Sequence, residues 1–227
     1  MGLDTNGDQY AGLKDAVVEI GRRMYERGHV ISNDGNISVR AGDNLFFVTP
    51  SGISKGRLSA AMLVPVDGEG RVLAGDRHAS SEAPMHLEVY RQKPDVHAVI
   101  HAHSLYATAF AVARRPIDEP YAPELVLGLG PVPVAPFALP STDEVPASIV
   151  PYLDGHALLL ANHGVLTWGQ TLDQAFDYLE QAEYAARLIL TVEQMGGGVK
   201  LDADIQARLF TLAGNYKKLA GKRDAQS

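Results

Sequence analysis

Two short apolar runs that end in histidine constrain this chain more than any other feature. The first is His97-Ala98-Val99-Ile100-His101-Ala102-His103, and the second is Leu158-Leu159-Leu160-Ala161-Asn162-His163-Gly164. In a β-strand the side chains at i and i+2 point the same way, so His101 and His103 share a face at the end of an apolar strand. Two imidazoles held that close form half of a metal site, and neutral imidazole is a preferred ligand of Zn²⁺. His163, at the end of a second such strand, is the candidate third ligand. Each histidine taken singly reads as a strand cap; the three together favour a metal centre. His97 has the parity of His101, but it begins the strand, about 20 Å from His103 by strand rise, and reads as an edge residue.

The rest of the composition narrows what a metal centre here can be. With no cysteine in 227 residues, the ligands must come from His, Asp or Glu. The formal charge is −7, and no basic run exceeds Lys217-Lys218 or Lys222-Arg223, so nucleic acid is not an expected partner. The most apolar window, 125–139, is broken by prolines and glycines and cannot span a bilayer. The first residues lack the basic and apolar regions of a signal peptide, so no membrane partner and a cytoplasmic location are expected.

Along the chain, Tyr10, Leu13, Val17, Ile20 and Met24 recur at helical spacing and predict a helix near 10–27, ended by Gly28. Ser32-Asn33-Asp34-Gly35-Asn36 is a turn. Strands follow at 37–40 and 45–49 with a hairpin between them, and Pro50-Ser51-Gly52 breaks the second. A further hairpin joins 63–66 to 72–73. Ser80-Ser81 opens a helix that ends before Pro94, and Ser104 caps another running to about Arg114. Residues 115–140 read as proline-rich and irregular, with a strand at 132–135. Ser141-Thr142-Asp143-Glu144 is read as a capping box for a helix to about Tyr152. Thr171 caps the longest helix, which Gly196-Gly197-Gly198 stops, and a last helix covers 205–219 before a tail frayed from Lys222. Hairpins and helices thus alternate without strict βαβ order, in one domain over 1–227 with its core at about 10–220.

Three polar loops, Gly35-Asn36, Ser51-Gly52 and Ser80-Ser81, carry the groups that suit a phosphate: glycine backbone, serine hydroxyls and a helix start. Each alone is an ordinary turn or cap. Glu82 is either a helix-start acid favoured by the macrodipole or a general acid/base or further ligand beside the metal. The nearest lysine to these motifs, Lys55, reads as solvent-facing.

Gly35-Asn36-Ile37-Ser38-Val39-Arg40, Thr49-Pro50-Ser51-Gly52-Ile53, Ser80-Ser81-Glu82-x-x-x-His86, His101-x-His103 and Asn162-His163-Gly164 resemble, in order and spacing, the motifs of the class II aldolase/adducin family. The likeness spans about residues 10–200. It implies a three-layer α/β/α fold with a largely antiparallel central sheet, assembled as a homotetramer. It also implies Zn²⁺ on His101, His103 and His163, with Glu82 as acid/base that also approaches the metal. Gly35, Asn36, Ser51, Gly52, Ser80 and Ser81 would hold the phosphate of a small phosphorylated sugar. The implied reaction is cleavage of a ketose 1-phosphate, such as L-fuculose 1-phosphate, to dihydroxyacetone phosphate and an aldehyde.

A tyrosine from a neighbouring subunit would close the site. Tyr121, in Pro120-Tyr121-Ala122-Pro123, is the candidate although its register is not fixed, and Tyr216 is the candidate for a C-terminal tyrosine. That Pro-Tyr-x-Pro pattern also resembles relatives that decarboxylate phosphorylated keto-acids, for which Arg114 or Arg115 would meet the carboxylate. Pentulose-phosphate 4-epimerases share the scaffold but carry aspartate at the position of Glu82. A non-catalytic head domain like that of adducin would lack zinc ligands, and all three histidines are present.

Overall fold

The computed structural model describes residues 8–224. Its strands are β1 (Asn36–Gly42), β2 (Leu45–Val48), β3 (Val64–Val66), β4 (Ala98–Ala102), β5 (Val134–Ala135), β6 (Ala157–Leu160) and β7 (Gly164–Gly169). They form one sheet in the order β3-β2-β1-β4-β7-β6-β5. Every neighbouring pair is antiparallel except β5 with β6. The helices are α1 (Ala11–Glu26), α2 (Ala83–Gln92), α3 (Leu105–Val112), α4 (Glu144–Ile149), α5 (Leu172–Gln194) and α6 (Ala203–Asp224).

The period-2 alternation of the strands divides the core into two layers. Ile37, Val39, Phe47, Ala98, Ile100, Leu159 and Val165 point to one face, where α1, α3 and α5 supply Val17, Ile20, Met24, Phe110, Phe176 and Ile189. Phe46, Val48, Val99, Leu158, Leu166 and Trp168 point to the other, against Met85, Val89 and Tyr90 of α2 and Val145 and Ile149 of α4. The result is α/β/α, as the family resemblance implies. A fully buried Phe or Ile in either layer contributes roughly 1.5–3 kcal/mol. Among the described residues no helix is long and apolar enough to cross a membrane.

Helix ends follow the signals in some places and not in others. Gly28 (φ +74°) closes α1: its N–H reaches Tyr25 O and the His29 N–H reaches Met24 O, the paired bonds of a Schellman motif. Thr171 caps α5 by accepting from Gln174 N at 3.1 Å. Ser104 precedes α3 but makes no cap bond. Instead the Glu183 carboxylate, reaching over from α5, accepts from Tyr106 N at 3.0 Å and Ala107 N at 2.8 Å.

Ser80 and Ser81 likewise do not cap α2, whose cap position is held by Glu82. The box at 141–144 is not closed as expected: Glu144 accepts from Leu139 N, and Thr142 Oγ1 from Glu144 N. The second hairpin reduces to a bridge between Val66 and Val72. Among the elements that escaped the pattern are β7 and a π-helical turn at Leu125–Leu129 inside the segment read as irregular.

Candidate metal centre

The site forms where β1, β4 and the β6–β7 turn end together. His101 lies on β4, the central strand, opposite Asn36 at the start of β1 and Leu166 on β7. His103 follows two residues later, just past the strand end. His163 sits in the tight turn between β6 and β7, where Asn162 takes the left-handed conformation (φ +57°) that asparagine tolerates. Gly164 is required by contact: a Cβ there would stand 2.4 Å from Ala102 O and 2.9 Å from the His103 ring. Only glycine lets the two histidine-bearing strand ends come this close.

The three imidazoles therefore converge. His101 Nε2 and His103 Nε2 are 3.0 Å apart, and one nitrogen from each of His101, His103 and His163 falls within 4.8 Å of the others. His101, His103 and His163 would together hold a single ion of the kind that prefers imidazole ligands. His101 is fully buried, and burial pushes its imidazole down to about 3, so it is neutral, the state a ligand needs. Its Nδ1 donates to Val165 O at 3.0 Å, which leaves the Nε2 lone pair facing the cluster. Burial also lowers His103, and the Asp34 carboxylate lies 3.7 Å from its Nδ1. The donor set, three imidazoles with Val165 O behind His101 and the Asp34 carboxylate behind His103, fits a zinc-type ion.

Glu82 is turned into this cluster. The helix positions 82, 86 and 90 share one face at four-residue spacing, and that face is pinned to β1. Ser38 Oγ bonds both His86 Nδ1 and Tyr90 Oη at 2.8 Å. Glu82, one turn earlier, consequently reaches the strand end. Its Oε1 lies 3.0 Å from His163 Nε2, its Oε2 lies 3.5 Å from His101 Nε2, and Oε2 accepts from Asn36 Nδ2 at 2.7 Å. Burial works against the ionised carboxylate, but His101, His163 and the Asn36 amide outweigh it and hold the carboxyl well below the usual range. Glu82 makes no cap bond to its own helix, so its side chain belongs to the cluster rather than to α2.

The three polar loops are zipped together beside it. Thr49 pairs with Ile37 through two bonds, Ser80 N donates to Thr49 O, and Ser51 N donates to His78 O. Gly35 (φ +70°) packs against the His101 carbonyl, and Gly52 (φ +73°) is open to solvent. Ser51 and Ser81 line one open cleft together with Arg77 and His78. Asn36 Oδ1 is buried with no hydrogen-bond donor among the described residues.

Other candidates lie elsewhere. Tyr121 is half-buried against Gly198 in the connection between α5 and α6, and no contact among the described residues joins it to the histidines or Glu82. The Tyr216 side chain lies outside the described residues. Arg114 is bonded to Asn162 and to Ala111 O, and Arg115 is paired with Glu193. His97 is exposed, outside the cluster. Lys55 is corrected: far from facing solvent, it is 2% exposed, and its Nζ donates to Asn33 O and Ile53 O. Asp34, Lys55 and Arg77 are the neighbours of the site that the motifs did not single out. Only Asp34, inside the turn before Gly35, carried a local signal.

With this fold and this cluster, the chain belongs to the class II aldolase and adducin N-terminal domain family, whose model matches residues 15–190. It is 39% identical over 186 residues to 3-oxo-tetronate 4-phosphate decarboxylase of Haemophilus influenzae, covering 79% of this chain and 88% of that protein. It is 36% identical over 171 residues to L-fuculose phosphate aldolase of Methanococcus vannielii, covering 75% and 92%. A solved L-fuculose 1-phosphate aldolase superposes with a TM-score of 0.83 at 31% identity, over 93% of this chain and all of the other. Aldolase, decarboxylase and dehydratase names all occur among its relatives.

Proposed function

We propose that this chain is a zinc-dependent carbon–carbon lyase that cleaves a ketose 1-phosphate, of the L-fuculose 1-phosphate kind, to dihydroxyacetone phosphate and an aldehyde. One observation carries the reading. An ionised carboxylate, Glu82, is held by Asn36 against three converging imidazoles, next to three adjacent loops of neutral donors. An ion held by His101, His103 and His163 would supply Lewis-acid polarisation of the substrate carbonyl.

The chain's own residues do the rest. Glu82 takes the proton from the carbon next to the carbonyl of dihydroxyacetone phosphate in the condensation direction and returns it in cleavage. Asn36 keeps its carboxylate aimed, and Asn36 Oδ1, which has no donor among the described residues, accepts from a substrate hydroxyl. Gly35, Ser51, Gly52, Ser80 and Ser81 receive the phosphate through backbone N–H and hydroxyl donors. Tyr121 would act only across a subunit contact, with the site completed in a homotetramer.

A second reading is decarboxylation of a phosphorylated keto-acid, favoured by the 39% identity to a decarboxylase. It breaks the same kind of bond, next to a carbonyl, with CO₂ leaving in place of an aldehyde. Against it, the two arginines expected to meet the carboxylate are already engaged with Asn162 and Glu193.

Purified protein loaded with Zn²⁺ and given L-fuculose 1-phosphate or 3-oxo-tetronate 4-phosphate separates the two. Dihydroxyacetone phosphate from the first without CO₂ from the second is expected. CO₂ alone transfers the assignment to the second reading, and neither product from either substrate removes both.

A further inference from the structure

Lys55 is the buried charge that the chemistry above leaves unused. It opens a single 3-10 turn, Lys55–Arg57, whose backbone is seated on α1: a Cβ at Gly21 would meet Lys55 O at 3.0 Å, and one at Gly56 would meet the Tyr25 ring at 2.7 Å. From that anchored start the side chain turns inward. Nζ donates to Asn33 O at 2.9 Å and to Ile53 O at 2.8 Å. Among the described residues no carboxylate comes within ion-pair distance of it.

A methionine or leucine would fill the same space without burying an ammonium, which proteins avoid unless the charge has work to perform. The two carbonyls it binds point to that work. Asn33 belongs to the loop that delivers Gly35 and Asn36, and Ile53 directly follows Ser51-Gly52. These loops face one another across an open cleft lined by Ser32, Asn33, Gly52 and Ile53. Both depend on left-handed residues, Ser32 and Gly35 in one and Gly52 in the other, so neither is held in place by regular structure of its own.

We propose that Lys55 is a positioning residue that clamps the Asn33–Asn36 loop to the Ser51–Ile53 loop and places one buried positive charge behind their backbone donors. This rests on the reading that these loops hold the substrate phosphate. The clamp sets the distance between the two sets of backbone donors, and the charge favours a dianion over an unphosphorylated group. Burial lowers the ammonium to about 8, against the opposing pull of Asp34 from the same loop and Glu82 at the start of α2; Tyr25 of α1 and Arg57 of its own turn are the other titratable groups nearby.

The test is binding of inorganic phosphate to the zinc-loaded protein, by calorimetry, from pH 7.5 to 9.5, with each affinity expressed per phosphate dianion so that the ligand's own titration drops out. Wild type should lose affinity as pH rises through about 8. Lys55→Met should bind on the order of tenfold more weakly at pH 7.5, with no such step, and should keep its zinc. Equal affinity in the variant, a flat wild-type profile, or loss of zinc together with phosphate would each overturn the proposal. Should the variant not fold, the wild-type profile decides alone. A wild type that binds no phosphate at any pH fails differently: it removes the phosphate reading of the loops, and the clamp with it.

Discussion

Asn36 donates its side-chain amide to Glu82 Oε2 at 2.7 Å, joining the first residue of β1 to the cap position of α2. The bond fixes which oxygen of the carboxylate is occupied and leaves Oε1 toward His163. Glu82→Gln keeps the shape and can still accept from Asn36, but it cannot take up a proton. The variant should retain metal and fold while losing on the order of 10²–10⁴ in turnover. Deuterium exchange from solvent into dihydroxyacetone phosphate, with no aldehyde present, reads the proton step alone. Exchange at the wild-type rate in the variant would remove Glu82 from that role.

The histidine cluster predicts one divalent ion per chain. His163→Ala leaves two imidazoles, which hold zinc poorly, and should lose most of the metal as measured by elemental analysis. His97→Ala, outside the cluster, should retain it. The reverse result would mean the ligand set is misassigned.

The cap of α3 offers a stability test. Glu183 satisfies two N–H groups at the start of that helix, so Glu183→Ala should cost about 1–2 kcal/mol, a fall of roughly 2–8 °C in Tm for a chain of this size. Ser104 Oγ is buried with no partner among the described residues, so Ser104→Ala should be neutral or slightly stabilising. If Ser104 rather than Glu183 were the cap, the two results would exchange.

Lys55 carries a signature in stability as well as in binding. Its pKa falls from 10.5 to about 8 on folding, so between those values the unfolded chain binds the extra proton. Burying the charge therefore costs stability below about pH 8, and the cost is relieved as pH rises toward 10.5, by on the order of 3 kcal/mol in all. The stability of wild type relative to Lys55→Met, from urea titrations, should rise across that window. A difference that does not change with pH would contradict a depressed lysine.

The spacing His101-x-His103 and the apolar run before His163 were enough to anticipate that these rings meet, because strand parity is a local rule and a buried strand end has few places to go. The layering of helices on both faces of the sheet came from the resemblance of the motifs, not from strand parity. β7 was not legible: Val165, Leu166 and Trp168 are buried on both faces, so no polar alternation marks the strand. The Glu183 cap was illegible because its partners, Tyr106 and Ala107, lie on another helix, whereas Ser104 offered a local signal that the packed structure overrides. Lys55 misled in the opposite sense. Burial of a lysine is set by what the tertiary structure places around it, here two carbonyls from separate loops.

The order of the strands gives the metal centre a second consequence. Its ligands come from β4, in the middle of the sheet, and from the turn that enters β7, its neighbour. An ion bound there would staple two distant stretches of chain at the centre of the sheet rather than at its margin. Stripping the metal should then loosen the protein from the inside: hydrogen exchange should quicken first at β4 and β7, while β3 and β5 at the edges keep the rates they already had.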